Sequence, residues 1–467
     1  MLLNQQFISS VVPEARFLGT KMQELPGVAI DTRLLSKGEL FVAIKGNRVN
    51  GHEFIKEALA KGAVGLMIDA ENEPALATLG VDANTLKKIF VIVVPNTAEA
   101  LLKIATVWRA QFTIPVIGIT GSIGKTSTKE MLANIIRLHG QNFIASQGNQ
   151  NTALGVSINI LKMRPEHQVA IFEMGVSKRG EMARMAALVK PTSAIVTAIG
   201  HSHMEGLGSL TDIANEKRDI FKYFSENNIG IINGDMPILA NISYHHPIVK
   251  FGYKTTNQIQ ARKIQANNST TNFVLKLYKD KYKVSLDTNH SGRINNALAC
   301  TAAAYLLNIP TETILKGIQM PVSITGRFEP TKLKAAKGIL INDCYNASPE
   351  SMKAALLAFE KLESKGQKIA VLGDMLELGV NSPFWHRQLG RFLRKVPSLN
   401  HVVLVGDLVK WTKATVPVGM TFEHVPTWEE ATDSLKKRLD REAVILVKGS
   451  LGIQLSLLVN ELTEKQI

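Results

Sequence analysis

Residues 115–130, PVIGITGSIGKTSTKE, restrict the possible folds more than any other stretch of the chain. An apolar, β-branched run from Val116 to Ile119 reads as a buried strand, Gly121 to Gly124 as a tight loop, and Thr126 onward as the first turn of a helix reaching about Leu138. A strand feeding a helix through glycines is also a phosphate cradle. Gly121 and Gly124 let backbone N–H groups approach phosphate oxygens at φ values a Cβ would forbid, and the helix N-terminus adds its positive dipole end. Lys125 would reach the β- and γ-phosphates, and the Thr126 hydroxyl would hold Mg²⁺. The common P-loop has a further glycine five residues before the Gly-Lys pair; that position here is Ile119, leaving a shorter T-G-x-x-G-K-T. A glycine turn with a chance lysine is the bland alternative, but strand, loop, Lys-Thr and helix fall in the required order. ATP or GTP binding is expected.

The 467 residues leave room for about three domains of roughly 150 residues each. No apolar run approaches the roughly 20 residues of a membrane span. The opening, MLLNQQFISSVVPEAR, lacks a basic n-region and does not read as a secretory signal. Two cysteines, Cys300 and Cys344, form no framework and suggest buried thiols in a reducing cytoplasm. The net charge of +14 comes from 54 basic residues scattered among 40 acidic ones, without a dense basic block interleaved with aromatics. Nucleic-acid binding is not expected; a basic cleft for anionic small substrates is. Nothing resembles a dimer seam, so a monomer is expected.

Residues 1 to about 95 read as a small α/β domain, in which a strand-like FVAI leads to a Gly-rich loop and a helix from about His52 to Ala60. The loop Lys45 to Gly51, with Lys45 and Arg48, suits phosphate or sugar hydroxyls, and equally a solvated hairpin. A polar, uneven segment from Asp69 to Lys88 and the strand IFVIVV close this part, and Thr97 to Gln111 is a helical pattern. After the phosphate-loop helix come an amide-rich turn (Gly148 to Asn151), an apolar strand with Glu173 near its end, and another strand followed by His201, His203 and Glu205. A buried strand seldom keeps a charge without a partner. In open parallel sheets ligands bind beyond the carboxyl ends of strands, where the loop, Glu173 and the His203 segment all fall. Thr126, Glu173 and phosphate oxygens would suffice for a first Mg²⁺. His203 is either a second metal or water ligand or a surface hydrogen-bonder. Glu216, Lys217 and Arg218 by themselves read as a solvated helix face, residues 255–290 as polar and hairpin-like, and Asn295 to Leu307 as an Ala-rich helix on which Asn296 faces a nucleotide base. From about Gly326 four strands with intervening helices form a doubly wound α/β domain without a phosphate loop, with Ser348 as N-cap and Pro349 at N1. Its strand ends supply Asp343, Asn346, Asp374, Glu377 and Lys448.

TGSIGKTS, DTRLLSKGELFVAIKGNRVNGHEFI, GNQN, EMG, HMEGLGS, the lysine of ANEKRDIF, GRFE, DCYNASPESM and GDMLELG together resemble the motifs of the Mur ligases of bacterial cell-wall synthesis, over nearly the whole chain. That family's short phosphate loop accounts for Ile119. The resemblance implies a UDP-sugar domain (1–95), a central ATP domain (96–325) and a C-terminal Rossmann-like domain (326–467) that swings in. It implies phosphorylation of a substrate carboxylate by ATP and attack on the acyl phosphate by an amine; the last two motifs point to UDP-N-acetylmuramoyl-tripeptide and D-alanyl-D-alanine as substrates. By the same resemblance Thr120, Gly121, Ser122, Ile123, Gly124, Lys125, Thr126 and Ser127 surround ATP, and Asn296, Arg327 and Asp343 meet its base, phosphate and ribose. Lys125, Glu173, His203 and Lys217 serve phosphates and metals, Lys217 as a carbamylated lysine. Thr32, Arg33, Lys45, Gly46, Asn149, Asn151 and Asn346 face the substrates. The chain departs from the family pattern at Thr152, at Leu451 and in HSGRINNALA. A sister ligase with another acceptor and a partner-coupled P-loop ATPase are the competing readings.

Overall fold

The computed structural model describes residues 3–463, apart from 23, 47, 48, 268, 269, 335, 336 and 441; Arg48 of the Lys45–Gly51 loop therefore lies outside the described residues. Three sheets follow one another along the chain. The first is five-stranded, with Arg16–Gly19 antiparallel on the edge beside Phe90–Val94, then Gly65–Asp69, Leu40–Val42 and Val28–Ala29 in parallel. The polar segment read from Asp69 to Lys88 follows a buried strand the sequence did not announce, because Gly65–Asp69 is too short to show a period.

The central sheet has nine strands. Val116–Thr120 lies between Val169–Glu173 and Ser193–Val196, pairing Ile119 with Glu173 and Thr120 with Val196. Phe143–Ala145 lies outside Val169–Glu173, while Ile229–Asn233 and Ile248–Gly252 continue the other side in parallel. The chain thus winds both ways from the phosphate-loop strand, so that the strand order reverses where a ligand crevice opens. Ile259–Ala266, Thr271–Leu277 and Asp280–Leu286 form the antiparallel hairpins expected from residues 255–290 and extend this sheet to its edge.

Both faces of Val116–Thr120 are covered: Val116 belongs to one apolar cluster and Ile117 and Ile119 to another. The first cluster runs on through the helix Thr97–Arg109 (Leu101, Ile104, Trp108) into Val42, Met67 and Ile92, so the first sheet and the central one share a core. The C-terminal sheet is six-stranded. To the four expected strands it adds two edges, Glu329–Lys332 antiparallel to Ile339–Asn342, and the half-exposed Phe422–Val425. Neither is apolar enough to stand out by pattern. Ser348 caps the helix Pro349–Glu360 as expected, accepting from Ser351 N.

Candidate active site

The phosphate loop leaves its strand at Gly121 (φ 147°) and enters the helix Lys125–His139 at Gly124 (φ 90°). A Cβ on Gly121 would lie 2.0 Å from Thr197 Oγ1, and one on Gly124 2.7 Å from Asn296 Oδ1. Glycine is required twice over, by conformation and by space. Thr197 Oγ1 contacts the carbonyl oxygens of Ile123 at 2.6 Å and Thr120 at 3.2 Å, and Ser122 N–H donates to Ala198 O at 2.7 Å. The loop is thereby fixed to the end of the neighbouring strand. Thr120 is buried, with its hydroxyl unpartnered among the described residues, whereas Thr126 and Ser127 are half-buried on the first helical turn.

Lys125 Nζ folds back to donate to Gly121 O at 2.9 Å. Its pKa is pushed below the ordinary lysine value by burial, an effect that Glu173 opposes and Arg327 adds to. Three charged groups from two domains therefore act on one loop. Glu173 is buried; its Oε1 accepts from Asn151 Nδ2 at 2.8 Å and its N–H donates to Ser146 Oγ at 3.0 Å, while Oε2 has no partner among the described residues. A buried carboxylate oxygen without a donor is a place for a cation. Asn151, expected to face the substrate, donates its side-chain amide to Glu173 and so orients that carboxylate.

Lys217 is buried, not solvated. Burial, then repulsion from Lys125, brings its pKa to about 7, and Glu216 only partly offsets this. Glu216 is occupied elsewhere, accepting from Gly180 N and Met182 N at the start of the helix Glu181–Val189. The solvated-face reading of this run fails for both residues, because the helix Leu210–Arg218 packs this side inward.

His203 adopts φ 58° and its Nδ1 lies 2.5 Å from Glu377 Oε2 of the C-terminal domain. His201 Nδ1 meets Glu350 Oε1 at 2.5 Å, and its ring is 4.3 Å from that of Trp385. Arg327 Cζ stands 4.1 Å above the Tyr345 ring. Asp343, expected at the ribose, already pairs with Lys448 Nζ at 2.8 Å and accepts from Phe328 N at 3.1 Å. Asn346 presents its carbonyl to Lys448 Nζ and its side chain to Ala347 N. Asn296, on the helix Gly292–Leu306, abuts the loop at Gly124.

Thr32 and Arg33 lie in the turn after Val28–Ala29, and Lys45 and Gly46 in the loop after Leu40–Val42, both in the N-terminal part of the chain. Arg33 is paired with Asp31 and Lys45 with Glu71, Thr32 O accepts from Lys61 Nζ, and Gly46 N–H donates to Val49 O. Thr197, Ser146, Tyr345 and Glu350 escaped the sequence reading; the one available signal was a threonine ending the buried strand SAIV beside the loop. Among the described residues no three His, Cys, Asp or Glu side chains converge as a metal cluster, so a cation here would keep phosphate and water ligands.

Residues 24–109 match the Mur ligase family catalytic domain, residues 119–304 the Mur ligase middle domain, and residues 326–451 the Mur ligase glutamate ligase domain. The UDP-N-acetylmuramoyl-tripeptide--D-alanyl-D-alanine ligase of Bacillus subtilis is 33% identical over 94% of both chains. The enzyme of that name from Escherichia coli is 32% identical, also over 94% of each. Among solved structures, MurF from Acinetobacter baumannii superposes with a TM-score of 0.83 at 26% identity, covering 100% of this chain and 99% of its own. MurF from Thermotoga maritima in complex with ADP does so with a TM-score of 0.76 at 25% identity, covering 93% and 96%.

Proposed function

The chain belongs to the Mur ligase family, and on that premise we propose that it joins the terminal carboxylate of UDP-N-acetylmuramoyl-tripeptide to D-alanyl-D-alanine at the expense of ATP. It is an ATP-dependent, ADP-forming ligase of peptidoglycan precursor synthesis. The observation that carries this reading is the convergence of Lys125, Glu173 and, from the C-terminal domain, Arg327 on one phosphate loop.

A carboxylate resists attack by an amine until one of its oxygens becomes a leaving group. The substrate carboxylate attacks the γ-phosphorus, ADP departs, and the dipeptide amine then attacks the acyl carbon and expels phosphate. Loop N–H groups from Ile123 to Ser127 cradle the phosphates, while Lys125 and Arg327 neutralise charge on the phosphoryl group in flight. Thr126 and the free Oε2 of Glu173 would hold Mg²⁺, which would offset phosphate charge when bound. His203 would serve a second cation or its water. With a pKa of about 7, Lys217 offers a neutral amine able to add to CO₂, losing a proton and becoming an anionic carbamate that supports the cation side of the site. Asn296 lines the base side and Asp343 the ribose side, while Asn346 faces the substrates. Thr32, Arg33, Lys45 and Gly46 receive the UDP-sugar, Asn149 and Asn151 face the centre, and the domains divide at about residues 95 and 325.

Among the described residues no helix is long and apolar enough to cross a membrane. The reaction belongs to the cytoplasm, where two unpaired buried thiols, Cys300 and Cys344, fit a reducing medium, and the protein works as a monomer. Phosphate release from Mg²⁺-ATP, with the two substrates supplied singly and together, tests the reading. Release only with both, and a product heavier by the dipeptide, is expected. Release indifferent to both would favour a partner-coupled ATPase, and turnover with another acceptor a sister ligase.

A further inference from the structure

Arg327 is half-buried, and its guanidinium makes no ion pair or side-chain hydrogen bond among the described residues. A flexible arginine without a carboxylate partner points nowhere in particular unless something else restrains it. That something is Tyr345, whose ring lies 4.1 Å beneath Cζ.

Tyr345 is itself held from several directions. Lys448 Nζ pairs with Asp343 Oδ2 at 2.8 Å and donates to Asn346 O at 3.0 Å, pinning the chain on both sides of it. Tyr345 N–H donates to Gly326 O at 3.2 Å, and Gly326 (φ 74°) has no Cβ to collide with the tyrosine, which lies 3.2 Å from where one would be. One residue thus stacks on the arginine and is anchored to its own domain's loop.

We infer that Tyr345 is a positioning residue: its ring aims Arg327 at the transferred phosphate. The inference rests on the ligase reading, since it needs a phosphoryl group for Arg327 to meet. Tyr345 touches neither substrate nor nucleotide in this role, and Lys448 acts one step further back by stiffening its loop.

A double-mutant cycle in the two-substrate phosphate-release assay tests it. Tyr345→Leu should lower kcat by about tenfold or more while KM for ATP changes by less than about twofold, because misaim costs the transition state rather than binding. Tyr345→Phe, which keeps the stack, should recover most of that loss. On an Arg327→Ala background Tyr345→Leu should cost less than about twofold, since nothing remains to be aimed. Equal losses on both backgrounds, or none on either, would overturn the inference. Should Tyr345→Leu fold poorly, Arg327→Lys decides: it keeps the charge without the planar stack and should be within about threefold of Arg327→Ala. Lysine as good as arginine would refute the aiming role. These outcomes are read only in a wild type that needs both substrates; a wild type that ignores them fails the ligase reading instead.

Discussion

At the scale of single residues, chemistry here comes from charge placed where water is scarce. Lys125 is held on the phosphate loop, its Nζ donating to Gly121 O, and its replacement by alanine removes a cation from that loop. Turnover of Lys125→Ala should fall on the order of 10²-fold or more, measured as ADP formed with both substrates at saturation. Wild-type turnover would take the loop out of the mechanism. Lys217 carries a second, independent signature. Its folded pKa of about 7 lies below the ordinary value of 10.5, so from pH 7 to about 10.5 the unfolded chain binds more protons than the folded one. Stability in CO₂-free buffer should therefore rise with pH across that window, and Lys217→Met should flatten the rise in urea midpoints at pH 7 and 9. If Lys217 works as a carbamate, short carboxylates should restore part of the activity lost in Lys217→Ala; absence of rescue would count against the modification. The sequence exposed Lys125 through its motif and Glu173 through its isolation on an apolar strand. Lys217 was legible only through the family motif, because a charged triplet on a helix looks solvated until a second helix is packed over it.

At the scale of elements, the strand, loop and helix from Val116 to His139 were legible because periodicity, glycine and Lys-Thr are local signals. Their exactness is tertiary. Gly124→Ala must place a Cβ 2.7 Å from Asn296 Oδ1 at φ 90°, which is costly on both counts. Nucleotide affinity by titration calorimetry should fall at least about tenfold, with the thermal midpoint lowered; unchanged affinity would mean the loop tolerates the shift. Thr197 and Ser146 had no comparable signal, since a hydroxyl at a strand end declares its partner only when strand order is known. The short edges Glu329–Lys332 and Phe422–Val425 were missed for the opposite reason, having too few apolar residues to show a period.

At the scale of the whole molecule, the C-terminal domain meets the central one through Met204, packed against its apolar core, and through several polar contacts. His201 with Glu350, His203 with Glu377, the Glu205 N–H on Glu377 O at 3.1 Å and the ring of Trp385 on His201 span the two domains. At such partial exposure each pair is worth about 1 kcal/mol or less, so losing one shifts the open and closed populations only severalfold. Glu350→Ala should raise the radius of gyration in X-ray scattering with nucleotide present and lower kcat a few-fold; an unchanged radius would show that this pair does not hold the domains together.

What the sequence by itself determined is the α/β class, the phosphate loop and the succession of sheets, because these follow from periodicities and motifs within some fifteen residues. The tertiary structure alone decided that Glu173 keeps one oxygen free, that Lys217 is stripped of water, that Asn151 serves Glu173, and that Arg327 reaches the loop from another domain. Each depends on which strand lies beside which and on what covers a face, and burial and charge proximity are properties of neighbours in space, not of neighbours along the chain.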